Sequence, residues 1–322
     1  RGNRFPRVVA MGFEHTSVMP QEVQEHQNLK PGHICVDCTL GGAGHAFSTI
    51  RAILPDGLLI GIDQDADAIR HATERLRPFK DQVRLFHSNF SDLPRILSAM
   101  GITGVNAIVL DLGFSLNQLK NSNRGFSFNQ NEPLDMRMDI RNDLTAFEIV
   151  NSFSESELTD IFFKYGEEKF SRRIARKIVE ERIKTPIRTS MALSQIISRA
   201  VPKKSAAKQR IHPSTRVFQA LRIAVNNELG RLEEFMAEVP SLLLENGRLC
   251  VISFHSLEDR IVKQALRRFE NGCTCPKTLP ECICGFVPRM KSVFRRALVP
   301  SKQEIESNPM ARSAKLRVAQ KI

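Results

Sequence analysis

Apolar and polar positions follow two different rhythms along this chain, and the change between them divides it. Up to about residue 113, short apolar runs of strand length alternate with helical stretches. The runs at 33–40 (HICVDCTL), 57–63 (GLLIGID), 82–90 (QVRLFHSNF) and 106–113 (NAIVLDLG) read as strands. Helices are expected near 46–54, 67–77 and 93–100. Strand and helix alternating at this spacing predict an α/β fold, a parallel sheet covered on both faces.

From about residue 116 to 213 no strong strand run occurs, and helical periodicity takes over. In EEKFSRRIARKIVEERI, Phe170, Ile174 and Ile178 fall four apart and form one apolar stripe, while Arg172, Arg173, Arg176 and Lys177 take other faces. After HPST a helix presents Phe218, Leu221, Val225 and Leu229. The run GRLCVISF at 247–254 then returns as a strand. The expected organisation is a discontinuous α/β domain over 11–115 and 214–322. An all-helical domain over 116–213 is inserted after the fourth strand, and 1–10 form an N-terminal extension.

The chain has 322 residues, a 42% apolar fraction and a formal net charge of +12. That charge favours a polyanionic partner, nucleic acid before a membrane surface. It is also localised: between Lys164 and Arg222 there are sixteen Lys/Arg against four Asp/Glu, a surplus equal to that of the whole chain. A solvated helix face is the plain alternative. No apolar run is long enough to span a bilayer, and the first residues lack the apolar core of a secretory signal. Met11 reads as a natural start, with the remnant of an organelle transit peptide as the alternative. Seven cysteines without a signal suggest reduced thiols and a cytoplasmic location.

The candidate chemistry starts at VDCTLGGAGHAF, residues 36–47. Glycines after a strand let backbone approach a ligand and leave helix N–H groups free. The G-x-G-x-x-G spacing of dinucleotide folds is absent, as is a Walker lysine. Asp37, Thr39, Gly41 and Ala43 instead sit at steps of two. That matches the acidic-x-G-x-G-x-G turn of S-adenosylmethionine enzymes, with Thr39 and Ala43 in place of two glycines. Three further residues fall at the carboxyl ends of successive strands, where open α/β sheets bind ligands. Asp63 could accept both ribose hydroxyls of a nucleoside, Phe90 could lie against its base, and Asp111 ends the fourth strand.

These stretches also carry a family resemblance. CTLGGAGH, GIDQD, LDLG, RGFSF, PLDMRMD, YGEEKFSRRIARKI, TRVFQALRIAVNNEL, SFHSLEDRIVK and NPMARSAKLR occur in order across most of the chain. Together they resemble the MraW/RsmH family, S-adenosylmethionine-dependent methyltransferases acting on N4 of a cytidine in small-subunit ribosomal RNA. The resemblance implies a Rossmann-like methyltransferase fold with a helical insertion. It also implies cofactor contacts at Ala43, Gly44, His45, Asp63, Phe90, Asp111 and Gln118. Its partner would be small-subunit ribosomal RNA or the small ribosomal subunit, with no membrane, and self-association is left open. One departure stands out: where the family reads DLGVSSPQLD, this chain reads DLGFSLNQLK, which keeps Asp111 and Gln118 but not the loop's second Ser and its Pro.

Asp111, or a carbonyl beside it, is the candidate acceptor for a proton of the amine, and His255 could orient the base. A structural, hydrogen-bonded histidine is the simpler reading of His255. Phe126 could stack on a base, or could be a core residue. In PLDMRMD, alternation puts Asp135, Arg137 and Asp139 on one side of an extended segment and Leu134, Met136 and Met138 on the other. The polar side could line the target nucleotide or form a salt-bridged strip between domains. Arg172, Arg173, Arg176, Lys177, Lys203 and Lys204 are candidates for phosphate contact. Cys273, Cys275, Cys282 and Cys284 form C-x-C-x6-C-x-C, a candidate structural zinc site or a redox-sensitive loop. Two alternatives remain: a methyltransferase acting on another nucleic-acid base, or a non-catalytic S-adenosylmethionine-binding ribosome assembly factor.

Overall fold

A computed structural model describes residues 17–115, 118–119, 122–202, 211–273, 275–276 and 283–322. Five parallel strands run β1 (Ile34–Asp37), β2 (Leu58–Asp63), β3 (Val83–His87), β4 (Val105–Asp111) and β5 (Leu243–Ser253). The sheet order is β3-β2-β1-β4-β5-β7-β6, with β6 (Met290–Ser292) and β7 (Lys315–Lys321) completing it. β7 is antiparallel to both β5 and β6. The apolar pattern does not single out the terminal strand β7, because charged residues interrupt KLRVAQK. It is recruited as a strand by Leu316, Val318 and Ala319, which are buried against the sheet's own core.

Strand alternation explains the two covered faces. Cys35, Leu59 and Ala107 face α2 (Gly44–Ile53) and α3 (Ala66–Arg75), where Ala46, Ile50, Ile53 and Ala72 are buried. Val36, Ile60, Ile62, Ile108, Leu110 and Val251 face the other way and pack with α4 (Leu93–Ala99). α1 (Pro20–His26), through Val23, and the two residues before it, Val18 and Met19, cover the β4–β5–β7 region.

The segment between β4 and β5 builds a separate core. α5 (Ala146–Ser152), α6 (Glu155–Lys164), α7 (Ser171–Arg182) and α8 (Ser190–Ala200) bury Ile149, Leu158, Phe162, Ile174, Ile178, Leu193 and Ile197 together. Thr145 and Ser154 open α5 and α6 with reciprocal capping boxes to Glu148 and Glu157. α9 (Ser214–Asn226) puts Val217, Phe218, Leu221 and Val225 into this same core. The helical layer therefore extends past residue 213, beyond the boundary expected from periodicity.

Leu229 does not continue the α9 stripe as expected. Asn227 adopts a left-handed conformation, φ 48°, and a new helix, α10 (Glu228–Leu242), turns toward the sheet. Its Leu232, Phe235, Met236 and Val239 join the sheet core, as do Val262, Leu266 and Phe269 of α11 (Ser256–Asn271). No helix among the described residues is long and apolar enough to cross a membrane.

Candidate active site

Strand order reverses between β1 and β4, and a crevice opens at the carboxyl ends of the strands on either side. A cavity of about 540 Å³ occupies it, lined by both the sheet's loops and the helical layer. That volume lies in the range of small-molecule and cofactor sites.

The glycine turn is tied down from two sides. Thr39 Oγ1 accepts the Asp111 backbone N–H at 2.7 Å, joining the end of β1 to the end of β4. Gly41 N donates to Asp63 Oδ2 at 2.9 Å, joining it to the end of β2. Asp63 Oδ1 also accepts from Asp65 N at 2.8 Å. A carboxylate offers about four acceptor sites, so lone pairs remain for two ribose hydroxyls. Burial pushes the Asp63 carboxyl up to about 6, against the two N–H groups that favour its charge.

His45 sits on the first turn of α2 and reaches the cavity. Its Nε2 is 3.7 Å from Asp111 Oδ2, a charge contact beyond hydrogen-bond length. Burial opposes charge on this imidazole, but the Asp111 and Asp37 carboxylates outweigh it and raise the pKa. Asp37 lies behind, fully enclosed, and burial pushes it up to about 7 against the pull of His45. His45 Nε2, Asp37 Oδ2 and Asp111 Oδ1 are buried without a hydrogen-bond partner. Such atoms are costly unless a ligand or water satisfies them.

Of the other expected cofactor residues, Phe90 lines the cavity and its ring meets Phe235 edge-on at 5.5 Å. Gln118 also lines it, but its amide is engaged: Nε2 donates to Asp65 Oδ2 at 2.8 Å, and Oε1 accepts from Ser115 N at 2.9 Å. Ala43 and Gly44 do not line the cavity. Ala43 is fully buried at the helix start with φ 54°. A Cβ on Gly44 would overlap Ser17 Oγ, so any larger residue there would force that hydroxyl to move.

The PLDMRMD segment is turned opposite to the nucleotide-wall expectation. Met136 and Met138 line the cavity, while Asp135 pairs with Arg137 at 2.8 Å and Asp139 with Arg141 at 2.6 Å away from it. Apolar side chains carry no desolvation cost in the enclosed direction, whereas these carboxylates keep their charge beside arginines. The segment is anchored by Arg124, which donates to Asp65 at 2.6 Å and to the Arg137 and Met138 carbonyls. Asn226 adds bonds to Met138 N and the Met136 carbonyl.

Aromatic residues gather on the helical side. Phe126 lines the cavity and lies nearly parallel to Phe114, with centroids 6.3 Å apart. Phe128 stacks on His212 and meets Phe218 edge-on. Arg222 sits over Phe114 at 4.8 Å and forms a two-pronged pair with Glu228. Sequence reasoning missed Phe114, Phe218, Arg222 and the Asn308–Pro309–Met310 segment, all of which line the cavity. The last three lie in family motifs, TRVFQALRIAVNNEL and NPMARSAKLR, to which residue chemistry alone attached no role in a site.

His255 caps α11. Its Nδ1 accepts the Glu258 N–H, Glu258 Oε2 accepts the Phe254 N–H, and His255 Nε2 lies 3.0 Å from Glu258 Oε1. The ring lines the cavity while serving this structural role. Burial would raise the Glu258 pKa, but His255 and Arg222 outweigh it and lower it.

On α7, Arg172 and Arg173 are exposed, Arg176 is 3.6 Å from Glu155, and Lys177 pairs with Glu180 and Glu181. Lys203 and Lys204 lie outside the described residues. Cys273, Cys275 and Cys284 converge in the loop after α11, and Cys282 lies outside the described residues.

The sequence model of the MraW methylase family matches residues 12–322. A relative from Desulforapulum autotrophicum, named ribosomal RNA small subunit methyltransferase H, is 57% identical over 97% of this chain and 100% of its own. One of the same name from Geobacter sulfurreducens is 50% identical over the same shares. Among solved structures, a SAM-dependent O-methyltransferase from Thermotoga maritima aligns loosely, with TM-score 0.39 and 10% identity over 94% of this chain and 64% of that one. Identity of that order along nearly the whole length of both sequence relatives, together with the family match, shows that the chain belongs to the MraW methylase family.

Proposed function

We propose that this protein transfers a methyl group from S-adenosylmethionine to the exocyclic N4 amine of a cytidine in small-subunit ribosomal RNA. Family membership supports S-adenosylmethionine-dependent methylation of small-subunit ribosomal RNA; the choice of cytidine N4 is the finer part of the reading. The observation that carries it is a two-part cavity. A polar half at the strand ends holds unsatisfied carboxylate and imidazole atoms, and an aromatic half faces it from the helical layer.

The residues fit the donor. Asp63 has acceptor capacity for the ribose, Phe90 offers a ring face, and the Asp111 carboxylate brings negative charge to the wall of a cavity that would take a cationic ligand. S-adenosylmethionine supplies an electrophilic methyl on a positively charged sulfur. The protein's share is chiefly positioning, because in-line attack demands close alignment.

The acceptor amine is weak because its lone pair is delocalised into the cytosine ring. A carboxylate accepting one of its protons restores nucleophilicity, and Asp111, which lines the cavity, is the residue assigned to this. Phe126 and Phe114 offer faces on which an unstacked base can lie. Arg222 donates along the same wall, held by Glu228. The exposed arginines of α7 supply charge for phosphates outside the cavity.

The test uses methyl-labelled S-adenosylmethionine with small ribosomal subunits lacking the modification, followed by nucleoside digestion. Label in N4-methylcytidine is the expected result. Label in another nucleoside would overturn the choice of base. Binding of the donor with no transfer to subunits, naked RNA or assembly intermediates would favour a non-catalytic assembly factor.

A further inference from the structure

The described residues of the loop between α11 and β6 build no apolar core of their own. Its described residues from Gly272 to Arg289 are exposed or only half-buried, and Ile283 and Val287 are 81% and 73% exposed. A segment that buries so little apolar surface needs another source of order, and a bound metal is one such source. Within it, one sulfur from each of Cys273, Cys275 and Cys284 lies within 4.8 Å of the others.

The spacing of these sulfurs is informative. Cys273 Sγ and Cys284 Sγ are 3.6 Å apart, across eleven residues of chain. A disulfide would require about 2.05 Å. Two thiolates on one tetrahedral zinc, each about 2.3 Å from the metal, are separated by roughly 3.8 Å. A disulfide would also use only two sulfurs, whereas three converge here. Three soft ligands select zinc over magnesium or calcium, which prefer oxygen. The site lies outside the cavity, and none of its residues lines it.

We propose that Cys273, Cys275 and Cys284 bind a zinc ion that orders the loop between α11 and β6. Zinc bound there would add a cross-link joining the end of α11 to the segment entering the outer strand. Methyl transfer to an amine needs no metal, so the role assigned is structural.

The experiment measures zinc content of the full-length protein, purified under reducing conditions, by elemental mass spectrometry. One equivalent of zinc per chain is expected, falling to background in a Cys273→Ser/Cys284→Ser double variant. Cobalt replacing zinc in the parent should show thiolate-to-metal charge-transfer absorption. A second measurement needs no variant: alkylation with peptide mapping, before and after a chelator. Cys273, Cys275 and Cys284 should be protected until the chelator is added, while buried Cys35 and Cys250 stay protected throughout. Absence of zinc from the parent would overturn the proposal, as would zinc retained at full level in the double variant. So would cobalt binding without thiolate absorption, or alkylation of the three thiols that ignores the chelator.

Discussion

Asp63 holds Gly41: its Oδ2 accepts the glycine N–H at 2.9 Å, so the residue proposed to bind ribose also fixes the turn beneath it. The two duties share one charge. With burial pushing this carboxyl up to about 6, it is mostly ionised at pH 7 and mostly protonated at pH 5. A protonated carboxyl loses acceptor capacity. S-adenosylmethionine affinity, read by calorimetry, should therefore fall roughly tenfold from pH 7 to pH 5, following about one decade per unit below the pKa. Asp63→Asn should bind weakly at both pH values and lose that part of the dependence. A parent affinity flat across the range would refute the role.

Asp111→Asn tests the proposed proton acceptor. If its carboxylate accepts a proton from the amine, Asp111→Asn should lower kcat by roughly 10²-fold or more. Donor binding should weaken far less. Single-turnover transfer with subunits, alongside donor titration, measures both. Full turnover in the variant would move the role to a backbone carbonyl or to no group at all.

Gly44 tests how tightly the turn is packed. A methyl at this position would overlap Ser17 Oγ, and Ser17 itself lines the cavity. Gly44→Ala should cost about 1–3 kcal/mol of stability through overpacking. It should also displace Ser17 and weaken donor binding. Denaturant unfolding measures the first effect and calorimetry the second. The double variant Gly44→Ala/Ser17→Gly, which removes the clashing hydroxyl, should recover much of the stability.

Arg124 and Asp65 form a buried pair at 2.6 Å, with side chains 10% and 6% exposed. Truncating Arg124 to Met leaves the Asp65 carboxylate buried with only the Gln118 amide and the Asp67 N–H beside it, and no cation. Loss of about 3–5 kcal/mol is expected from such an uncompensated charge. The Met136–Met138 wall should loosen with it, because Arg124 also holds the Arg137 and Met138 carbonyls. Urea unfolding of the variant checks the energy, and hydrogen exchange across 134–140 checks the wall.

The basic helix can be tested without touching the cavity. Arg172 and Arg173 are exposed and line no part of it. Reversing both to Glu should weaken RNA binding and flatten its salt dependence, by about one unit of slope for each phosphate that is no longer neutralised. Donor binding should be unchanged. An unaltered salt slope would mean that α7 presents a solvated face only.

The amino-acid sequence by itself determined the alternation of strands and helices, the interruption after the fourth strand and the polar residues at the strand ends. These depend on local periodicity and on turn residues such as Gly41 and Asp63, so neighbours in sequence carry the signal. Tertiary structure alone decided which side of an element faces the cavity. PLDMRMD alternates as its pattern requires, yet Met136 and Met138 turn inward because Arg124 and Asn226 anchor its carbonyls and Asp135 keeps its own arginine outside. It also decided that Asn227 ends α9, that Gly44 serves packing against Ser17, and that Phe114, Arg222 and Met310 meet the strand ends. Those relationships join residues tens to hundreds of positions apart, and periodicity carries no information about partners at that range.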